Sequence, residues 1–244
     1  SSLLTVVVSS TLVDATLQGN NFKTLKKDGY HRTASEIEKR HNTKEALYAA
    51  HIESGKNGKG MALSVVYNMF NRYRLKSEAE YQKYYPVGGN LFSASADWHI
   101  NRSRYLFSGE IATSNKGMAL LSNLTLNLSE KTVLRSVFRS YSKRYYSYHS
   151  QAFAEGSVNN ETGLYIGLKH SFGRCTLDNY ADVFRFPCDT YKEKGPSCGF
   201  ELQTGLVYGR NSSNTLQFRA RYKEKNGNGT LRSRFRYSGS LTKS

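Results

Sequence analysis

Proline is scarce in this 244-residue chain, with 3, as are cysteine, with 3, and tryptophan, with 1. So few prolines leave long stretches free to pair as strands, because each proline removes a ladder donor. The cysteines, Cys175, Cys188 and Cys198, have neither a zinc spacing nor a CxxC redox pairing. Cys188 and Cys198 flank the turn-like KEKGPS, so a bridge between them and three free thiols both remain open. No run approaches the roughly 18 apolar residues of a membrane-spanning helix, and mean hydropathy is -0.60. Helical spans are thereby excluded. Barrel strands are not, because their lipid-facing residues alternate with polar ones. HExxH, GxSxG and phosphate-cradling glycine loops are absent, so no catalytic residue, cofactor or metal is expected. The chain opens on SSLLTVVVSS with no basic n-region or cleavage site, and a signal peptide is expected to have been removed or to precede it.

Helical periodicity is almost missing too, and a period of two takes its place. Between Leu91 and Ile100, Phe92, Ala94, Ala96, Trp98 and Ile100 share one face, while Ser93, Ser95, Asp97 and His99 share the other. The pattern recurs at Leu164, Ile166 and Leu168, and at Leu216, Phe218, Ala220 and Tyr222. Further runs begin near Leu4, Ala46, Met61, Tyr105, Met118, Val133, Cys175 and Phe200, and a weaker last one near Leu231. This gives about twelve strands, each on the order of ten residues, the length a tilted strand needs to cross a bilayer. Tyrosine (18) and phenylalanine (12) suit such a pleated surface.

Short polar connectors around Asn57, Asn115, Gly173, Asn211 and Asn226 read as hairpin turns. Residues 74–90, 142–161 and 185–198 form longer, tyrosine-rich connectors. Short turns alternating with long loops are the wiring of outer-membrane barrels. One helical signal interrupts the meander: Thr33-Ala-Ser35-Glu36-Ile37-Glu38 contains a capping box in two registers and predicts a short helix between the first and second strands.

Lysine and arginine total 35 against 19 acids, a formal net charge of +16. On the polar faces of the predicted strands, Arg135, Arg139, Lys169, Arg219, Arg221 and Lys223 would line an interior, with Arg72 and Arg104 near strand ends. A cationic lumen lowers the barrier to anions. The alternative is that these cations pair with Glu201, Glu110 and Asp97 and stiffen the wall. Trp98, Tyr105, Tyr208 and Tyr222, with Tyr141, Tyr145, Tyr146 and Tyr148, fall near strand ends where a membrane girdle of aromatics would lie. His51 and His99 sit on polar faces within reach of Glu53 or Glu110, the start of a hydrolase site.

Three motifs in order, GYHRTASEIEKRHNTKEALYAAHIE (Gly29 to Glu53), AFAEGSVNNETGLYIGL (Ala152 to Leu168) and DNYADVFRFP (Asp178 to Pro187), carry a family resemblance. The chain resembles, from about residue 12 to 224, the C-terminal barrel region of Bacteroidota outer-membrane proteins that bear a competence-type helix-hairpin-helix domain. It departs from them in lacking that domain and in reading FPCDTYKEKGPS where FPWLKYRVDAPS is the pattern. It also ends on SGSLTKS rather than on a strand-closing aromatic, so a larger barrel is expected to surround it.

The expected fold is thus all-β, an antiparallel up-and-down transmembrane barrel region over residues 1–244, with one loop helix. The expected role is that of a non-enzymatic channel or scaffold in the bacterial outer membrane, with a cationic lumen. Its partners would be outer-membrane lipid, anions or nucleic acid, and other envelope proteins. The resemblance implies a link to DNA uptake. The rival readings are a soluble basic β-protein that binds nucleic acid, and a barrel hydrolase.

Overall fold

Asn-Gly pairs set the tightest turns. Asn57 and Gly58 have φ of 54° and 72°, and Asn226 and Gly227 have 50° and 78°, the two positive values that a type I′ hairpin demands. A side chain at Gly58 would also stand 2.6 Å from the carbonyl oxygen of Asn101. Between such turns the computed structural model, which describes residues 2–211 and 214–239, forms strand after strand in antiparallel register.

The strands are β1 (Ser2–Gln18), β2 (Asn21–Lys26), β3 (Thr43–Lys56), β4 (Lys59–Arg74), β5 (Gly88–Asn101), β6 (Tyr105–Ser114) and β7 (Gly117–Ser129). They continue with β8 (Thr132–Tyr141), β9 (Glu161–Phe172), β10 (Cys175–Phe186), β11 (Ser197–Asn211), β12 (Asn214–Lys225) and β13 (Asn228–Ser238). From β3 to β13 each strand pairs with the next, in one all-β up-and-down sheet. Twelve of the thirteen were legible as alternating runs. The thirteenth, β2, folds back on the end of β1 through Asp14↔Lys26 to Gln18↔Asn21. It lies end to end with β3, because β1 pairs with β3 over Ser2 to Val13 and Phe22 of β2 pairs with Arg74 of β4. The sheet therefore has twelve positions across.

The helix α1 (Ala34–Glu38) forms where the capping box predicts it, with Thr33 as N-cap and Glu36 closing the box. It lies between β2 and β3 rather than directly after the first strand. Asp14 holds this connector by accepting from the His41 backbone amide at 2.8 Å and lying 2.5 Å from His31. Cys175, Cys188 and Cys198 are all free, which overturns the bridge between Cys188 and Cys198. The turns also divide differently from the expected alternation. The tight turns at Asn115 and Asn226 lie at the same end of the sheet as the long connectors 75–87, 142–160 and 187–196, while the connectors at 57–58, 102–104, 130–131 and 173–174 lie at the other. Residues 212 and 213 of the Asn211 connector, and 240–244, lie outside the described residues.

The two faces keep their characters across the whole width. One row of facing residues runs Leu4, Ile52, Leu63, Ala96, Ile111 and Leu120 from β1 to β7. Another runs Phe138, Leu164, Val183 and Phe200 from β8 to β11. Among the described residues nothing packs over this face: Leu4 is 64% exposed, Leu63 57% and Val183 50%. The opposite face carries most of the charged residues of the strands and the packing of the β8–β9 connector.

That opposite face is concave. His149 of the β8–β9 connector touches Glu45 of β3 at 2.8 Å, and Glu155 pairs with Lys223 of β12. Nine strand steps separate β3 from β12, roughly 43 Å on a flat sheet, whereas the six Cα steps from His149 to Glu155 reach about 20 Å at full stretch. The Glu45 and Lys223 side chains that meet them stand up from the sheet rather than along it. The sheet must curl for both contacts to coexist. A row of directly facing residues also drifts, from Leu3 at the short-turn end of β1 through Asp97, Arg139 and Gly199 to Asn228 at the opposite end of β13. Such stagger is what rolling a sheet requires.

Among the described residues, β1 and β13 each pair on one side only. Amide hydrogen exchange is expected to be fastest in β13 and in Ser2 to Val13 of β1, and slowest in β8 to β10. Equal protection of β13 and β9 would show that the sheet's edges are covered.

Candidate functional site

The β8–β9 connector, residues 142–160, does not extend away from the sheet but folds back across its concave face. Tyr148 is 3% exposed and packs in a cluster with Ala15, Phe22, Phe70 and Leu91, its ring edge-on to Phe70 at 4.8 Å. Its carbonyl oxygen accepts from the Lys27 ammonium. Tyr146 stacks at an angle on Tyr85, with the buried Arg74 guanidinium 4.8 Å from one ring and 5.0 Å from the other. Ser114 donates to the Tyr146 carbonyl oxygen at 2.6 Å. A second cluster joins Tyr141 and Tyr145 to Ala112 and Ala119, and the Tyr141 hydroxyl donates to the carbonyl oxygen of Phe153 at 2.9 Å. The girdle expectation for Tyr141, Tyr145, Tyr146 and Tyr148 is therefore wrong. The rings of Tyr145, Tyr146 and Tyr148 anchor a plug inside the curl, Tyr145 in one cluster with Tyr141 of the β8 wall, because the connector buries its aromatics on its own sheet.

The plug meets the wall at a buried ion network. Arg139 on β8 is wholly buried and donates through Nε to Glu161 of β9 at 2.5 Å, and through Nη1 and Nη2 to Asp182 of β10 at 2.8 and 3.1 Å. Glu161, also wholly buried, accepts in addition from the backbone amides of Glu155 and Gly156 at 2.9 to 3.0 Å. Gly163, which faces Arg139 in register, makes the room: a Cβ there would stand 2.5 Å from the guanidinium carbon. Further along the same face, Glu201 of β11 accepts from the Tyr180 hydroxyl and from Arg221 of β12. Lys223 lies between Glu201, at 3.6 Å, and the plug's Glu155. A buried carboxylate with one partner removed costs about 3–5 kcal/mol, so this network holds only with all its members.

All six cations singled out from the sequence lie on the concave face. Arg139 faces Gly163, Arg135 and Lys169 share its strand-side register, and Arg219, Arg221 and Lys223 alternate along β12. They do not act alike. Arg139, Arg221 and Lys223 are consumed by acids, whereas Arg135, Lys169 and Arg219 are exposed and form no ion pair among the described residues. Of the acids expected as partners, Glu201 is one; Glu110 and Asp97 form no ion pair there. Glu161, Asp182 and Glu155 take the role instead, and nothing in their spacing marked them. Arg232, Arg234 and Arg236 on β13 were also passed over, although their two-residue period was readable. Arg72 donates to the carbonyl oxygens of Asn42 and Asn20 at 3.0 and 2.9 Å and so holds the strand ends.

Trp98, Tyr105, Tyr208 and Tyr222 lie on the apolar convex face. The first three stand toward the short-turn end and Tyr222 toward the other. His51 accepts from or donates to Ser64 at 2.8 Å across the β3–β4 pair, and its other nitrogen is 3.7 Å from Glu53. His99 lies over Gly60 instead. Among the described residues, no group of three His, Cys, Asp or Glu side chains is placed to hold a metal ion. Compared with known proteins, the chain matches no family model and no curated protein.

Burial pushes the Tyr148 phenol up to about 12, and it raises Tyr145 and Tyr146 as well. A phenol whose folded value lies above its unfolded one, about 10, stabilises the docked plug fully below pH 10 and stops doing so as pH rises through 12. Spectroscopic titration is expected to show late-ionising tyrosines whose ionisation coincides with undocking; in Tyr148→Phe that late step shrinks. Arg139→Met is expected to lower stability by about 3–5 kcal/mol by stranding Glu161 and Asp182. Adding Glu161→Gln and Asp182→Asn should recover most of that loss in denaturant melts.

Proposed function

We propose that the chain forms the wall of a bacterial outer-membrane β-barrel, a non-enzymatic passage or scaffold whose cationic interior carries a folded plug. The observation that carries this reading is the convex face. Its apolar rows run in register from β1 to β13 with no second sheet or helical layer over them among the described residues. A water-soluble protein would bury such a surface, since exposed apolar patches beyond a few hundred Å² mark an interaction surface. No described helix is long and apolar enough to cross a membrane, so the crossing elements would be strands. Strands of 10 to 17 residues in β1 and β3 to β13 meet or exceed the roughly 9–11 that a tilted crossing needs. The curl and stagger support closure into a barrel.

In this reading Trp98, Tyr105 and Tyr208 form part of the aromatic belt at the short-turn side, and Tyr222 part of the belt at the loop side. Arg135, Lys169 and Arg219 supply the interior's free positive charge, and the plug restricts the loop-side mouth. Its partners are outer-membrane lipid and anions. The resemblance to barrel regions of competence-type Bacteroidota proteins adds a role in DNA uptake at the cell envelope.

A second reading, an ester hydrolase, has the Ser64, His51 and Glu53 contacts behind it. The geometry disfavours it: Ser64 lies mid-strand, with β4 laddered to β3 and β5 on either side, which leaves no pair of free amides for an oxyanion. Purified protein and Ser64→Ala are expected to hydrolyse a p-nitrophenyl ester at the same background rate; a serine-dependent rate would favour the hydrolase.

The membrane reading predicts that the extracted protein stays monodisperse only in detergent. Ile166→Arg, at mid-strand on the convex face, should lower stability in bilayers by about 2–4 kcal/mol. A monodisperse, detergent-free protein that tolerates Ile166→Arg would overturn it.

A further inference from the structure

The inner face of β12 and β13 presents cations to cations. Arg219 faces Arg234, Arg221 faces Arg232, and Gln217 faces Arg236. Like charges directly opposed across an antiparallel pair repel, so the arrangement gains stability from an anion set between them. Arg221 is engaged by Glu201. Arg219, Arg232, Arg234 and Arg236 are exposed and have no acidic side chain within ion-pair distance among the described residues.

Three of these arginines surround one depression. Arg219, Arg234 and Arg236 line a hollow of about 100 Å³, together with the amides Gln203 and Gln217. Gly205, with no side chain, helps keep it open. Asp178, the one acid in the lining, sits opposite Lys169 in register. Guanidinium groups fork onto tetrahedral oxyanions through paired donors. Residues two apart on a strand repeat every ~6.8 Å, so the row offers successive anchors along a line rather than a single point.

We infer that the inner face of β12 and β13 is a binding site for a linear phosphate anion, with one phosphate group in the Arg219–Arg234–Arg236 hollow and others along the row toward Arg232. The site deepens the cationic-interior reading but depends on the strand pairing and not on membrane insertion.

The test is calorimetric titration of the full chain in detergent micelles with inorganic tripolyphosphate. Saturable binding is expected, weakened at least ~10-fold in Arg234→Gln/Arg236→Gln, with a salt dependence shallower by about 1.4–1.8 for the two lost contacts. Both positions are exposed and Arg234 opposes Arg219, so without ligand the variant should melt no lower than the parent. Arg135→Gln, on the same face but at β8, should bind as the parent does. No saturable binding, or an equal loss in Arg135→Gln, would overturn the site in favour of a diffuse positive field. A short oligothymidylate that displaces tripolyphosphate would make a nucleic acid strand a source of the phosphate row. One that fails to displace it assigns the site to free oligophosphate. Because binding is read in micelles, a protein that binds yet proves soluble would sink the membrane reading and leave the site standing.

Discussion

Register is the constraint on which everything else in this molecule rests. A period-two strand that slips by one residue exchanges its faces, and here twelve positions in a row keep theirs. Leu164 meets Val183 and then Phe200 on the convex side, while Arg139 meets Gly163 and then Phe184 on the concave side. The Asn-Gly turns at 57–58 and 226–227 fix that register at the hairpins. A wall with one apolar and one charged surface follows from these pairings, and so does the meeting of distant charges on a shared face.

The interior is organised by burial of charge. Arg139, Glu161 and Asp182 would be costly singly, and they persist because three strands and two plug amides satisfy them together. This network ties the plug to the wall near β9, while Tyr148 and Tyr146 tie its far side to β4 through apolar contact and cation-π geometry, with a hydrogen bond from Ser114 of β6 beside them. The plug is thus held by two kinds of force at opposite flanks of the curl. The cations left over, Arg135, Lys169, Arg219 and the β13 arginines, stay available because the other acids of this face, Asp97, Glu110 and Asp178, stand out of ion-pair reach of them among the described residues. A net charge of +16 leaves many cations that internal pairing cannot neutralise.

Twelve strand runs, their faces and the helix cap at Thr33 were readable because alternation and capping are local properties, visible within ten residues. The short β2 was not, since six residues between a turn and a basic connector carry too little pattern. The convex positions of Trp98, Tyr105, Tyr208 and Tyr222 followed from the same alternation. Tyr141 follows it too, two residues beyond Arg139 on the concave face of β8, but Tyr145, Tyr146 and Tyr148 lie past the strand: in SYSKRYYSYH a tyrosine bound for a lipid interface and one bound for an interior look alike. Arginine positions were readable, and so was Glu201 as one partner, but Glu161 and Asp182 were not, because they lie 22 and 43 residues from Arg139.

The sequence by itself determined an all-β meander, the polarity of each strand face and the excess of positive charge, since each is a sum over neighbouring residues. Only the tertiary structure decided that the sheet curls, that residues 142–160 turn inward, and which cations are spent on buried acids. Those outcomes depend on contacts between residues far apart in the chain, where geometry rather than spacing selects the partner.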